Sequence, residues 1–274
     1  MILHKYAFFL VSIVLLTGCI GRQAFFVSPF NGINNPYHSI PTKKDSLPSA
    51  FYVNGALAWG NANDNAGDKV FAAYTNLSQG LNFGKFQAFY GIGIGAGSYR
   101  VDTYGREEDL NETVNAEVID ANAGRKTFGG YGFDGGINYT ISGRNNEWRM
   151  LGVEMSLRKE YGQYLSFRER LPPGSATVNI RNAMYGTAGA YTEFIHHALH
   201  FDYGFKVGVG RVLNSNYHRG KIRDSYFIDY NILYNYFDID FHVTKHRWTG
   251  YIQYNDACKA SVFMMGANYR LGKR

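Results

Sequence analysis

No apolar stretch of about eighteen residues follows position 16, so nothing beyond that point can cross a bilayer as a helix. Proline is scarce. Four of the six fall at positions 29, 36, 41 and 48, and the other two form the pair Pro172-Pro173. A proline cannot donate to a sheet ladder, so the long proline-free stretches are free to be strands and the proline-bearing ones are not. Charge is nearly balanced, with 28 lysines and arginines against 22 acids and a net charge of +6. No block of lysines accompanies it, which argues against a nucleic-acid partner. No Gly-x-Ser-x-Gly elbow is present. The run Gly91-Ile92-Gly93-Ile94-Gly95-Ala96 fits a permissive nucleotide fingerprint. It continues as alternating strand into Tyr99 and Arg100, whereas phosphate binding needs a helix N-terminus there.

What is abundant is aromatic and glycine: 16% Phe, Trp and Tyr, and 32 glycines. The clearest pattern lies at 199–210. Leu199, Phe201, Tyr203, Phe205, Val207 and Val209 alternate with His200, Asp202, Gly204, Lys206, Gly208 and Gly210. Period two over that length excludes a helix. The same reading predicts ten strands, at 50–60, 69–82, 86–101, 127–141, 147–160, 183–195, 199–212, 225–244, 247–255 and 260–271. The 183–195 strand alternates weakly. The 225–244 strand shifts phase near Tyr234 and Tyr236, as a bulge or a second hairpin would.

Connections alternate in length. Tight turns at 84–85, 142–146, 196–198 and 245–246 define a short-turn end, and connections at 61–68, 102–126, 161–182, 213–224 and 256–259 a long-loop end. Phe83, Phe86, Tyr139, Trp148, Phe194, Phe201, Trp248 and Tyr269 gather near the short turns as an interfacial girdle would. A soluble β-sandwich also alternates. It does not call for bulky aromatics on one face and glycines on the other. The expected fold is therefore all-β: an antiparallel, up-and-down transmembrane β-barrel of about ten strands behind an N-terminal lipoprotein signal peptide. In architecture, residues 50–271 resemble the broad family of small bacterial outer-membrane barrel proteins.

The N-terminus carries the one specific motif. Lys5 precedes an apolar run at 6–16, and Leu16-Thr17-Gly18-Cys19 follows it. This resembles a bacterial lipobox, which implies a signal peptide at 1–18, acyl chains on Cys19 and a bacterial outer-membrane location. The predicted divisions are 1–18, a lipidated proline-containing linker at 19–48, and a barrel at 49–274. Removing Lys5 with the signal leaves 27 − 22 = +5. Lipidation of Cys19 leaves Cys258 alone, so no intramolecular disulfide forms. Ile20 follows Cys19 with no acidic residue next, and no acidic surface-export stretch is present. Those two absences suit sorting to the outer membrane with a periplasm-facing anchor. For the linker two readings stay open: Phe25, Phe26, Val27 and Phe30 dock on the short-turn end, or the segment is a flexible tether.

Inward positions of the predicted strands carry Asp134, Glu154, Arg158, Asp202 and Lys206, which are expected to form an interior salt-bridge network or, alternatively, an ion pathway. Ten strands with glycine-rich inner faces leave at most a narrow pore. His196, His200, His242 and His246, together with His197, are expected at one rim, but no carboxylate or cysteine accompanies them at ligand spacing, so no metal is assigned. Arg168, Arg170, Arg219, Lys221 and Arg223 in the long loops form a candidate surface for lipopolysaccharide or another anionic glycan, alongside outer-membrane lipids as partners. Omptin-type proteases share the ten-stranded plan. His218 and Asp224 find no acid pair opposite, so the chain is read as a non-enzymatic, cofactor-free monomer.

Overall fold

The computed structural model describes residues 24–33, 35–45, 47–63, 67–103, 116–172, 178–213, 235–257 and 260–272. Ten antiparallel strands close into a barrel: β2 (Ser49–Ala62), β3 (Asp68–Phe83), β4 (Phe86–Val101), β5 (Gly124–Ser142), β6 (Asn146–Tyr161), β8 (Met184–His197), β9 (Asp202–Leu213), β10 (Asn235–Lys245), β11 (Trp248–Ala257) and β12 (Ala260–Arg270). Every strand pairs with its chain neighbours, and β12 pairs with β2 to close the ring. Two short strands, β1 (Phe25–Phe26) and β7 (Val178–Asn179), form a separate parallel pair. Helices α1 (Ala116–Asp120) and α2 (Gln163–Arg170) lie in the long connections.

The alternation read from the sequence becomes an inside-out polarity. Leu57, Ile92, Ile94, Phe133, Leu157, Phe205, Val209, Ile252 and Phe263 are exposed on the outer wall. Asn54, Asn76, Gln87, Asp134, Arg158, Glu193, Lys206, Asp240 and Asn268 are buried inside. A barrel with an apolar exterior and polar interior suits hydrocarbon rather than water. Phe83, Phe86, Trp148, Phe194, Phe201 and Trp248 ring the short-turn end on the outside, with Phe86 against Tyr139 and Trp248 against Tyr269 at 5.5 and 4.7 Å between centroids. The tight turns rest on left-handed backbone at Gly84 (φ 61°) and His246 (φ 58°). Glycine takes that conformation without penalty, and a two-residue hairpin needs it.

One irregularity sets the interior. Between β5 and β6 the register shifts beside Met150, so Met150 and Leu151 both face outward. This bulge reverses the inward parity of β6. Arg149 points in on one side of it, and Glu154, Ser156 and Arg158 on the other. Without the extra residue one of the two sets would face lipid.

Three sequence expectations change, and a fourth is only partly covered by the described residues. The strand expected at 199–212 begins at Asp202, because Leu199 sits in the turn and is 89% exposed. Of the strand expected at 225–244, residues 235–244 are strand, and 225–234 lie outside the described residues. The 161–182 connection holds α2 and β7 rather than plain loop. Above all, the described residues of 24–45 (24–33 and 35–45) neither tether nor dock on the short-turn end. They run up the inside of the barrel, and Phe25, Phe26, Val27 and Phe30 lie at its long-loop end, buried.

A charge placed on the outer wall at mid-height tests this polarity. Phe133→Arg is expected to cost about 2–4 kcal/mol, read as a lower urea midpoint for barrel unfolding in lipid vesicles, while heat-modifiable migration on unboiled gels persists in the wild type.

Candidate functional site: the filled lumen and its rims

The lumen is occupied by the strap at 24–45. Apart from the short 3-10 turns Pro29–Ile33 and Lys43–Asp45 and the β1–β7 pairing, the strap has no ladder to satisfy its backbone, so its remaining amides and carbonyls need other partners. The barrel wall supplies them with side chains. Near the long-loop end, the Phe25 amide donates to Asn63 Oδ1 at 2.6 Å, and the Ile180 amide donates to the Phe26 carbonyl at 3.0 Å. At mid-height Gln253 Nε2 donates to the Asn35 carbonyl at 2.7 Å, and Asn54 and Asn268 both donate to the Tyr37 carbonyl at 3.1 and 3.2 Å. Lower down, Arg149 and Gln87 donate to the carbonyls of Ile40 and Pro41 at 3.2 and 3.0 Å. At the short-turn end the Lys43 amide donates to Glu147 Oε2 at 2.6 Å. Lys44 and Asp45 then reach Asp202 and Arg270 on the rim, at 3.7 and 3.0 Å.

Glycine makes the room. A Cβ on Gly80 would lie 2.7 Å from Pro41 Cδ and 3.1 Å from Ile40 Cα, and one on Gly130 would lie 2.7 Å from the Phe30 ring. The glycine-rich inner faces therefore admit the strap rather than leave a pore. Apolar contacts finish the upper end, with Phe30 edge-on to Phe128 at 5.1 Å and Phe26 edge-on to Phe167 of α2 at 5.2 Å.

Charged groups are arranged around the strap in three clusters. Asp134 accepts from Arg158 Nη2 at 2.7 Å, Tyr74 Oη at 2.9 Å and Asn76 at 3.2 Å. Strap residue His38 sits 3.9 Å from Asp134 and stacks on Phe89. Glu154 accepts from Lys206 Nζ at 2.9 Å and from strap residue Asn35 at 3.3 Å, while Asp238 and Asp240 lie 3.9 and 3.8 Å from the same ammonium. Glu193 accepts from Arg149 Nη1 at 2.7 Å and from strap residue Tyr37 Oη at 2.9 Å, with His242 Nε2 also 2.9 Å away. Each cluster thus includes a strap side chain; Asp134, Glu154 and Glu193 each bond a cation directly, whereas Asp238 and Asp240 share the Lys206 ammonium at longer range and accept no hydrogen bond among the described residues.

Of the five residues expected inside, Asp134, Glu154, Arg158 and Lys206 are there, in two clusters rather than one network. Asp202 is not: it starts β9 at the rim, 3.0 Å from His197 Nδ1. The Arg149–Glu193 cluster was missed. Its inward phase depends on the β6 bulge, which alternation alone does not reveal. The histidines do not converge. His242 is buried in the lumen against Tyr37, His196 bonds Asn146 Oδ1 outside, and no group of three metal-ligating side chains occurs among the described residues.

At the long-loop end Arg168 is not a surface cation. It is fully buried, with Nη2 2.5 Å from Glu160 and Nη1 donating to the Ile180 carbonyl at 3.0 Å, and it holds α2 over the lumen mouth. Burial pushes the hydroxyl of Tyr164, on the same helix, well above the ordinary tyrosine range. Arg170 remains exposed, beside a cleft of about 630 Å³ that it lines with Arg125 and Lys126. Arg219, Lys221 and Arg223, like Cys19, His218 and Asp224, lie outside the described residues. On the outer wall just below this mouth, Lys69, Arg100 and Arg125 are directly paired across β3, β4 and β5 and all are exposed.

No family model and no curated protein matches the sequence. Among solved structures the chain is similar to several outer-membrane barrels. The translocator domain of the autotransporter NalP from Neisseria meningitidis matches at 9% identity and a TM-score of 0.38, over 84% of this chain and 92% of that one. Outer membrane protein OprG from Pseudomonas aeruginosa matches at 10% identity and 0.35, over 82% and 97%. Neisserial surface protein A matches at 9% identity and 0.33, over 82% and 97%. At that distance no activity, ligand or partner transfers from them.

Two outcomes test the filled lumen. Arg149→Met, which strands Glu193 and Glu147 without their cation, is expected to cost about 3–5 kcal/mol and to lower the temperature at which the folded gel band disappears. In planar bilayers the intact chain is expected to carry no current, and a chain lacking residues 24–45 to conduct.

Proposed function

We propose that this chain is a non-enzymatic barrel of the bacterial outer membrane, acylated at Cys19, whose outer wall holds the phosphates of lipopolysaccharide. The observation that carries the reading is the row Lys69–Arg100–Arg125. Three cations in adjacent register repel one another, which favours an anionic counterpart. Lys69 is also held by Asn61 Oδ1 at 2.8 Å. Two residues inward from the row, Trp59 and Phe71 pair across β2 and β3 and are exposed, as aromatics at a headgroup level are. Further down the same strands lies an apolar depression of about 770 Å³, lined in part by Leu77, Ile92, Ile94, Tyr131, Phe133 and Leu157. Arg100 and Ile94 are six residues apart, or roughly 20 Å along a strand. Phosphates on the cations and acyl chains in the depression suit an amphiphile of that length. Arg170 and Lys126 extend the same charge onto the loop surface.

A pore is the weaker reading, because the strap fills the lumen and shares in each buried charge cluster. Protease chemistry has no support in the described residues, where His242 faces Glu193 and Tyr37 rather than an open cleft.

The test is titration of the purified protein in nanodiscs with lipopolysaccharide and with its dephosphorylated form. Each surface cation near an anionic lipid contributes about 1 kcal/mol, so Lys69→Ala/Arg100→Ala/Arg125→Ala is expected to weaken binding roughly 100-fold. Dephosphorylated ligand should show a similar loss with the wild type and little further loss with the variant. Unchanged affinity in the triple variant, or equal affinity for both ligands, overturns the reading.

A further inference from the structure

The strap has a direction, and the direction decides where the N-terminus goes. Lys43 and Asp45 are at the short-turn end, bonded to Glu147 and Arg270. Tyr37 and Asn35 are at mid-height, beside Glu193 and Glu154. Phe30 lies higher, against Phe128, and Phe26 lies at the long-loop mouth, against Phe167 of α2. There the strap ends in a ladder: Phe25 and Phe26 pair in parallel with Val178 and Asn179. Ala24 is therefore on the far side of the barrel from Ser49, where β2 begins.

We infer that the mature N-terminus leaves the barrel at the cell surface, and that acyl chains on Cys19 enter the outer leaflet. The inference rests on the acylation proposed above, but its geometry does not. Cys19 and Ala24 are five positions apart, and a fully extended chain covers at most about 18 Å over that length. The strands are far longer: β3 and β4 have 16 residues each, or roughly 40 Å after allowing for tilt. A return to the short-turn side would have to pass through a lumen already filled by the strap, or through lipid with an unpaired backbone. Neither route is open within five residues. The periplasm-facing anchor suggested by the residues after Cys19 is incompatible with this path, because the strap carries the anchor across the membrane whatever residues flank it. The surface end is thus held twice, by acyl chains in the outer leaflet and by the β1–β7 ladder, and both hold the strap in place.

Four measurements on the full-length protein in cells test this. An epitope inserted between Gly21 and Arg22 should be stained by antibody on intact cells, and the protein should incorporate labelled palmitate that Cys19→Ala abolishes. Staining only after permeabilisation, with palmitate still incorporated, overturns the surface exit. Surface staining without palmitate overturns the acylation and leaves the exit standing. If the insertion prevents folding, Phe26→Cys/Asn179→Cys in a Cys258→Ser background replaces it. These positions are direct ladder partners and should form a disulfide, seen as a mobility shift on non-reducing gels of the denatured protein; its absence in a folded barrel overturns the threading. Exposed Glu169→Cys on α2 should react with a membrane-impermeant maleimide on intact cells, and failure to do so while folded would place the long-loop end in the periplasm and overturn the exit.

Discussion

The structure depends on one requirement: a chain with little ladder of its own, shut inside a membrane barrel, needs partners for its peptide groups. Residues 24–45 form almost no ladder, so the wall has to act as a lining of amide and guanidinium donors. That accounts for the otherwise odd choice of Asn54, Asn268, Gln87 and Gln253 at inward positions. Each carries a donor long enough to meet the strap's carbonyls. Apolar side chains of similar size would fill the space equally well and leave the strap's carbonyls stranded.

The buried charges follow from the same arrangement. Arg149 bonds Glu193, Gln87 and the Ile40 carbonyl at once, so one side chain neutralises an acid and fixes the strap. Tyr37 reciprocates, stacking on His242 at 4.4 Å and donating to Glu193. Strap and wall are thereby one core, and neither has its polar groups satisfied without the other. Ten strands enclose more space than side chains alone can fill. The strap takes up that surplus, and glycines such as Gly80 and Gly130 keep it wide enough.

The barrel was legible in the sequence because period two is a local signal. Each strand announces its inner and outer face without knowledge of its neighbours, as the 199–210 stretch did despite its true start at Asp202. The strap was not legible. Its prolines and mixed polarity read equally as tether, and its side-chain partners on the wall are distant in sequence: Asn35 meets Tyr236, and Tyr37 meets Glu193. The β6 bulge hid Arg149 for a related reason, since one extra residue reverses parity and only the neighbouring strands reveal it. Arg168 misled in the opposite way. A loop arginine suggested solvent, yet the fold of α2 over the mouth turns it onto Glu160. The row Lys69–Arg100–Arg125 could be found only after the register was known, because three isolated cations on three strands form no motif.

The seam between β12 and β2 fixes an order of events. The strap runs straight into β2, one side of that seam, and lies wholly within the ring that the seam completes. A finished cylinder offers no slit through which an extended segment of this length could be drawn afterwards. Lateral entry therefore has to precede the last pairing, which encloses the strap. The strap is thus a stopper built into the chain itself, enclosed by the pairing of the very strand that continues it.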